Sequence, residues 1–354
     1  MDTAQALAVQ KLLSVAETYQ ATDIHFSVGN PPMMRIDGKL VPVPEQPFVT
    51  PDFMNDVVLS WLSEIEKQKL AEEKDLLIAK TFDNKKRFKI SLFYQQGFVS
   101  AALSMISDTI ASLQQLGMSP MAQRVIEAPQ GLVLLIGPHG AKQKKTLTSS
   151  IEHINTNQQK HIVTFEQPVE VLFADKKSVI DQREIGTDVV SIAKGLGHVI
   201  DEDIDIVAIT EQMVEAKSVT KILEIASAGK TVFVTIDAHT SAAALEKLIH
   251  VFPQEDIPQV RMQLARTLVG IINQRSIQTR TNDHSIIHEV VVPDAAIRTV
   301  LLQGDLSQLR NVIHQAQVQQ GINSIDSQLV ELLQQGAITP EEARKHIIDP
   351  AVLE

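Results

Sequence analysis

The sequence contains no cysteine. Disulfides and thiol chemistry are therefore excluded, and the commonest structural zinc ligand is missing, so no metal site is expected. The absence agrees with a cytosolic setting. Aromatic residues are scarce too. One Trp and two Tyr in 354 residues leave few platforms on which bases could stack. Basic residues are in deficit, 32 Lys and Arg against 43 Asp and Glu, for a net charge of −11. That balance argues against a whole-protein nucleic-acid footprint, though a local basic patch stays open, and no nucleic acid is expected as a partner. No apolar run approaches the roughly 20 residues of a membrane span. The N-terminus carries no signal-peptide pattern, and no internal repeat is visible. What remains is ordinary globular composition, 44% hydrophobic and 21% charged, in a chain long enough for two domains.

Two rhythms divide the chain. Residues 4–18 have amphipathic helical spacing, with Leu7, Val9, Leu12, Leu13 and Ala16 mostly on one face. A short extended stretch, residues 21–26, leads to a turn at Asn30-Pro31-Pro32. Residues 33–40 then read as a hairpin turning at Asp37-Gly38. Thr50 and Pro51 predict a helix start, with Thr as N-cap and Pro in the first turn. Phe88, Ile90 and Leu92 alternate in one strand; Val99, Ala101, Leu103 and Met105 do so in the next. These elements predict an α/β domain over residues 1–105, followed by a linker over 106–118.

From residue 119 strands alternate with helices, which predicts a parallel sheet. The strand candidates are 132–136, 162–165, 206–209 and 232–236, with 286–292 as an edge. This core spans 119–292. A helical region, 293–354, follows, punctuated by Gly304, Gly321 and Gly336. Its last segment opens on Thr339-Pro340-Glu341-Glu342, the pattern of a capping box with Pro in the first turn.

The stretch from Gly131 to Leu147, GLVLLIGPHGAKQKKTL, has the context of a phosphate-binding loop: an apolar strand, a loop, and a helix expected from about Thr146. Gly137, Pro138 and Gly140 would make the turn. The GxxxxGK[ST] pattern then wants Gly, Lys and Ser or Thr, and the chain has Lys142, Gln143 and Lys144. A lysine at the hydroxyl position cannot ligate a cation and would repel magnesium. The loop reads either as a solvated basic turn, or as a loose cluster of Lys142, Lys144 and Lys145 holding an anion. Shifting the motif onto Lys145-Thr146 leaves His139 and Lys144 at glycine positions.

The order ATDIHFSVGNPPMMRIDGKL, GLVLLIGPHG, HIVTFEQPVEV, VIDQREIGTD, DEDIDIVAITE, SAGKTVFVTIDAHTSAAALEKLIHVFP, GINSIDSQLVELLQQGAITPEEAR resembles the PilT/PilU retraction motors of type IV pili, within the secretion ATPase superfamily. The resemblance covers nearly the whole chain. It implies a PAS-like N-terminal domain, a RecA-like P-loop NTPase core and C-terminal helices. It also implies a homo- or hetero-hexameric ring at the cytoplasmic face of the inner membrane, against the pilus platform, with nucleotide bound between the domains.

Against that family the site is eroded. The family loop GPTGSGKSTTL appears here as GPHGAKQKKTL. The acidic box keeps Glu166 and Glu170, but an Asp has become Gln167. Glu211 falls where the family's catalytic glutamate polarises water. It reads equally as a relic base or as a carboxylate kept for a backbone bond, with Thr210 replacing a glycine. The family histidine falls on Asp237, while His239 lies two residues on. Arginines of the family are replaced by Gly97, Ser104, Gly197, Asp201 and Met213. Arg35, Arg87 and Arg183 remain, in contexts that suit fold or interface roles. Ala296-Ile297-Arg298 resembles the retraction-linked AIRNLIRE segment, which the following residues continue only loosely.

The resemblance thus implies a catalytically degenerate member, a pseudo-ATPase that partners an active paralogue or the pilus platform in retraction and twitching motility. No cofactor is expected. Two alternatives stay open: a divergent ATPase using ATP and Mg2+ through Lys142, Lys144 or Lys145, and a sensor that binds nucleotide without turnover.

Overall fold

The stretch from Gly131 to Gly137 is buried at every position. Five aliphatic side chains in a row can all be shielded only in a strand covered on both faces. This strand is the third of seven in the larger of two sheets of an α/β structure. The computed structural model describes residues 12–36, 38–82, 85–107, 109–210, 215–281, 283–320 and 324–353. The chain forms two units, residues 1–109 with 167–172, and residues 110–166 with 173–354.

In the first unit, β1 (Asp23–Phe26), β2 (Met33–Ile36), β3 (Lys39–Pro42), β4 (Asp75–Thr81), β5 (Arg87–Gln95) and β6 (Phe98–Met105) form a six-stranded sheet. The order is β3-β2-β1-β6-β5-β4, and every paired neighbour is antiparallel. Phe88, Ile90, Leu92, Val99, Ala101 and Leu103 fill one side, as their alternation requires. Helical residues begin at 12 among those described; residues 4–11 of the predicted first helix, and Asp37 of the hairpin turn, lie outside them. Thr50 caps Phe53 N–H, with Pro51 in the first turn, and irregular helical turns run on to Trp61. Helix α1 (Glu64–Glu73) starts in a reciprocal capping box between Ser63 and Glu66. Strand β4 was not expected from the sequence. Leu76 and Ile78 point inward and Leu77 outward, so its apolar residues do not alternate cleanly with polar ones.

The second unit contains α2 (Pro120–Ile126), β7 (Gly131–Gly137), α3 (Gln143–Asn157), β8 (His161–Glu166), β9 (Val179–Glu184), α4 (Ile192–Leu196), β10 (Ile206–Ile209), α5 (Ala216–Ser227) and β11 (Thr231–Asp237). It continues with α6 (Ser241–His250), α7 (Ile257–Thr267), β12 (Leu268–Gln278), β13 (His284–Val291), α8 (Ala295–Gln303), α9 (Leu309–Gln320), α10 (Ile325–Gln334) and α11 (Pro340–His346). The strand order is β13-β12-β7-β11-β10-β8-β9. All neighbours are parallel except β12 and β13, so β13 is the antiparallel edge. Two strands escaped the sequence reading. Strand β9 is a polar edge, and β12 buries Asn273, Gln274 and Arg275, which breaks its apolar signal. Residues 113–118, read as linker, place Leu113, Leu116 and Met118 in the core of this unit.

The C-terminal helices are tied to the sheet. Gly304 ends α8 in the left-handed region at φ 84°, a conformation glycine adopts without a Cβ penalty. Thr339 caps Glu342 N–H at 3.1 Å, but the second half of the expected capping box is absent. The Glu342 carboxylate instead accepts from Gln278 N–H at the end of β12, at 3.0 Å, and pairs with Lys345 and His346. Midway along the edge strand β13, the His288 Nε2 accepts from Ser119 N–H at 3.1 Å. Burial pushes this imidazole down to about 4. The unfolded chain therefore takes up a proton below pH 6.5 that the folded imidazole refuses until about pH 4. The stability held above pH 6.5 drains away across that window, by up to about 3 kcal/mol. Urea denaturation at pH 7 and pH 4.5 should show this loss in the wild type, and a smaller one in His288→Gln, which keeps an acceptor but cannot titrate.

Candidate functional site

The loop after β7 is built by close backbone approach. A Cβ on Gly137 would lie 2.6 Å from the Gln274 carbonyl oxygen and 2.6 Å from the Ala141 Cβ. Gln274 is fully buried, and its Nε2 donates to the Ala141 carbonyl at 2.6 Å. The Ala141 N–H in turn bonds the Pro138 carbonyl. Gly140 has φ 84°. The turn of a phosphate loop is therefore present. Helix α3 begins at Gln143, three residues before the expected start, because Lys142 serves as its N-cap. Lys142 adopts φ 66° and ψ 34° there, a left-handed conformation that costs a side-chain-bearing residue about 1–2 kcal/mol. The backbone keeps the glycine geometry although the glycine is gone.

Gln143 turns back into the loop. It is 6% exposed. Its Nε2 donates to the Gly137 carbonyl at 2.7 Å, with Pro138 O at 3.4 Å and Asp237 Oδ1 at 3.2 Å. The carboxamide thus links the end of β7 to the end of β11. The second Asp237 oxygen lies 3.5 Å from His139 Nδ1. His239 does not take the missing histidine's place beside the loop: it is exposed, and its carbonyl receives Arg275 Nη2 at 2.6 Å.

The lysines line the outer side of the turn. The Lys142 side chain reaches solvent, yet partial desolvation, and then the charge of Lys145, hold it below the usual lysine range. The Lys144 carbonyl accepts from Thr148 Oγ1. Thr146 is fully buried, and its hydroxyl has no partner among the described residues.

Glu166 ends β8 at 8% exposure. Its Oε1 accepts from Thr164 Oγ1 at 2.7 Å and Gln182 Nε2 at 3.0 Å. Thr210 N–H bonds the Phe165 carbonyl, and the Thr210 carbonyl receives Thr235 Oγ1. Glu211 and Met213 lie outside the described residues.

The retained arginines have partners within their own units. Arg183 forms a two-pronged pair with Glu202 at 2.9 and 3.3 Å. Arg35 donates to the Gly38 carbonyl, and Arg87 to the Val169 and Glu170 carbonyls. Arg298 donates to the Ala265 and Leu268 carbonyls at the end of α7, where a cation complements the helix dipole. Arg275 was not singled out in the sequence. It is 1% exposed and donates to Asn273 Oδ1, the Gln274 carbonyl and the His239 carbonyl. Burial lowers its pKa, while Glu289 and Asp326 oppose the shift. A single arginine between buried strand residues carries no local signal; only the tertiary structure supplies its partners.

A family model described as "Type II/IV secretion system protein" matches residues 3–331. The chain belongs to that family. Within it, the protein is similar to the "Type IV pilus retractation ATPase PilT" of Pseudomonas aeruginosa, 29% identical over 346 residues, covering 95% of this chain and 97% of the relative. The "Type IV pilus ATPase PilU" of the same organism is 27% identical over 338 residues, covering 95% and 88%. The crystal structure of the pilus retraction motor PilT with bound ADP superposes with a TM-score of 0.87 at 30% identity, covering 96% of this chain and 97% of the other. The protein is thus a PilT/PilU-like member of the pilus motor ATPase family, with an N-terminal domain and an ATPase-type core. The Legionella pneumophila ATPase DotB, at 20% identity and a TM-score of 0.82, shares the fold.

Replacing Gln143 by Ala removes the link between β7 and β11. We expect a loss of about 1–2 kcal/mol in urea denaturation, with Lys144→Ala, on the outer side of the turn, nearer wild type.

Proposed function

We propose that this protein is a pilus motor-family subunit that does not hydrolyse ATP. It acts as a structural or regulatory partner in pilus retraction, in a ring with copies of itself or with an active paralogue, at the cytoplasmic face of the inner membrane. The observation that carries this reading is the Gln143 carboxamide folded into the loop and bonded to Gly137 O and Asp237. In a working loop of this type a lysine neutralises the β- and γ-phosphates and the next hydroxyl ligates magnesium. Here a neutral amide fills the first position, Lys144 fills the second, and the carboxylate of Asp237 faces the loop. This donor set does not suit magnesium nucleotide.

A nucleotide sensor is the second reading. It is favoured by the nearness of the Lys142 and Lys145 ammonium groups. Those cations could hold a phosphate-bearing anion without turning it over.

Phosphate release and nucleotide binding by the purified full chain separate the readings. The expected result with Mg-ATP is release no faster than the buffer blank. Magnesium-dependent release abolished by Glu211→Ala would overturn the proposal. Binding of ATP without release would select the sensor, and neither binding nor release the scaffold.

A further inference from the structure

The first turn of α3 carries two lysines where a helix least favours positive charge. Lys142 is the N-cap, and Lys145 is the third helical residue. Those are the positions that a capping box joins, with a hydroxyl at the first and an acid or amide at the second. Here both are exposed lysines at the positive end of a 15-residue helix. We propose that Lys142 is an acylation site, its amine taking the acyl group from a small acyl phosphate.

A lysine amine attacks a carbonyl only after it has lost its proton. Desolvation and a neighbouring cation are the two circumstances that activate it. Lys142 meets both, partial desolvation first and the charge of Lys145 second. The backbone adds to this. Lys142 makes no capping hydrogen bond, so its ammonium sits at the end of the dipole without a compensating contact there.

No carboxylate restrains the pair. Among the described residues neither Lys142 nor Lys145 is in an ion pair, whereas Lys67, Lys80, Lys89, Lys176 and Lys221 each have a carboxylate within reach. Lys144, between the two, is half-buried and has partners of its own. The cluster therefore holds two exposed, unpaired amines that disfavour each other's charge.

Lys145 also selects the donor. Positions three apart on a helix are neighbours, so an ammonium lies beside the attacking amine. It suits a donor whose leaving group is a phosphate. The Lys142 Nζ lone pair adds to the carbonyl carbon and forms the N–C bond. The C–O bond to phosphate breaks, and the phosphate departs with that electron pair and takes the amine proton. The products are an amide and hydrogen phosphate, with no other reactant. Acylation removes one of two facing charges, which relieves their repulsion and leaves the loop less basic.

The full chain is incubated with acetyl phosphate in neutral buffer, and the acetylation rate at each lysine is read by mass spectrometry. Lys142 should react at least about threefold faster than the exposed Lys39, Lys194 and Lys217. Lys145→Gln should slow Lys142 by about twofold or more, with an unchanged circular dichroism spectrum. With 4-nitrophenyl acetate, a donor without phosphate, the preference for Lys142 should shrink. A Lys142 rate no greater than those of the three other lysines would overturn the proposal. So would a rate indifferent to Lys145→Gln, or an equal preference with the two donors. If Lys145→Gln fails to fold, the two wild-type comparisons decide alone.

Discussion

One tight approach in the second unit sets backbone against backbone. Gly137 and the Gln274 carbonyl come near enough that no Cβ fits between them. That approach fixes where β7 ends, how the loop turns, and where α3 begins. Gln274, fully buried, completes it by donating to Ala141. The constraint is about backbone, not charge, so it survives replacement of the residues that handle phosphate. Lys142 makes the same point, holding a left-handed turn at an energetic cost. The loop keeps the backbone shape of a phosphate loop with Lys142, Gln143 and Lys144 in the motif's positions.

The side chains at the loop fall into a coherent set. A neutral amide occupies its interior, a carboxylate faces it, and lysines ring its outer side. The retained arginines are engaged by carbonyls or a carboxylate of their own units. Glu166 is likewise a hydrogen-bond acceptor for Thr164 and Gln182. These retained arginines and Glu166 each have a structural partner, which is reason enough for their presence.

Much of the fold was legible because burial writes itself into apolar pattern. Strands β7, β8, β10 and β11 are buried, mainly apolar runs, and they lie side by side. The hairpin β5–β6 alternates, and its inward residues are the expected ones. Strand β12 was invisible for the opposite reason: its buried centre is Asn273, Gln274 and Arg275, whose partners come from the loop, from β13 and from residue 239. Pattern reading treats such a run as surface. At the loop, the sequence exposed what was missing, but not that Gln143 would turn inward or that Asp237 would meet it. Those contacts join residues 94 positions apart and exist only once β7 and β11 are neighbours. Of the two acids read as catalytic candidates, Glu166 is placed at the end of β8, and Glu211 lies outside the described residues.

Arg275 has a consequence for where the core can be said to stop. Its guanidinium is balanced by Glu289 on β13 and by Asp326 on α10. Glu342 of α11 likewise accepts from the Gln278 N–H at the end of β12. A fragment ending after β13 would keep every strand of the sheet, yet strip a buried cation of one counter-charge and a strand end of its acceptor. The C-terminal helices are therefore the electrostatic lid of the sheet's edge rather than an appendage.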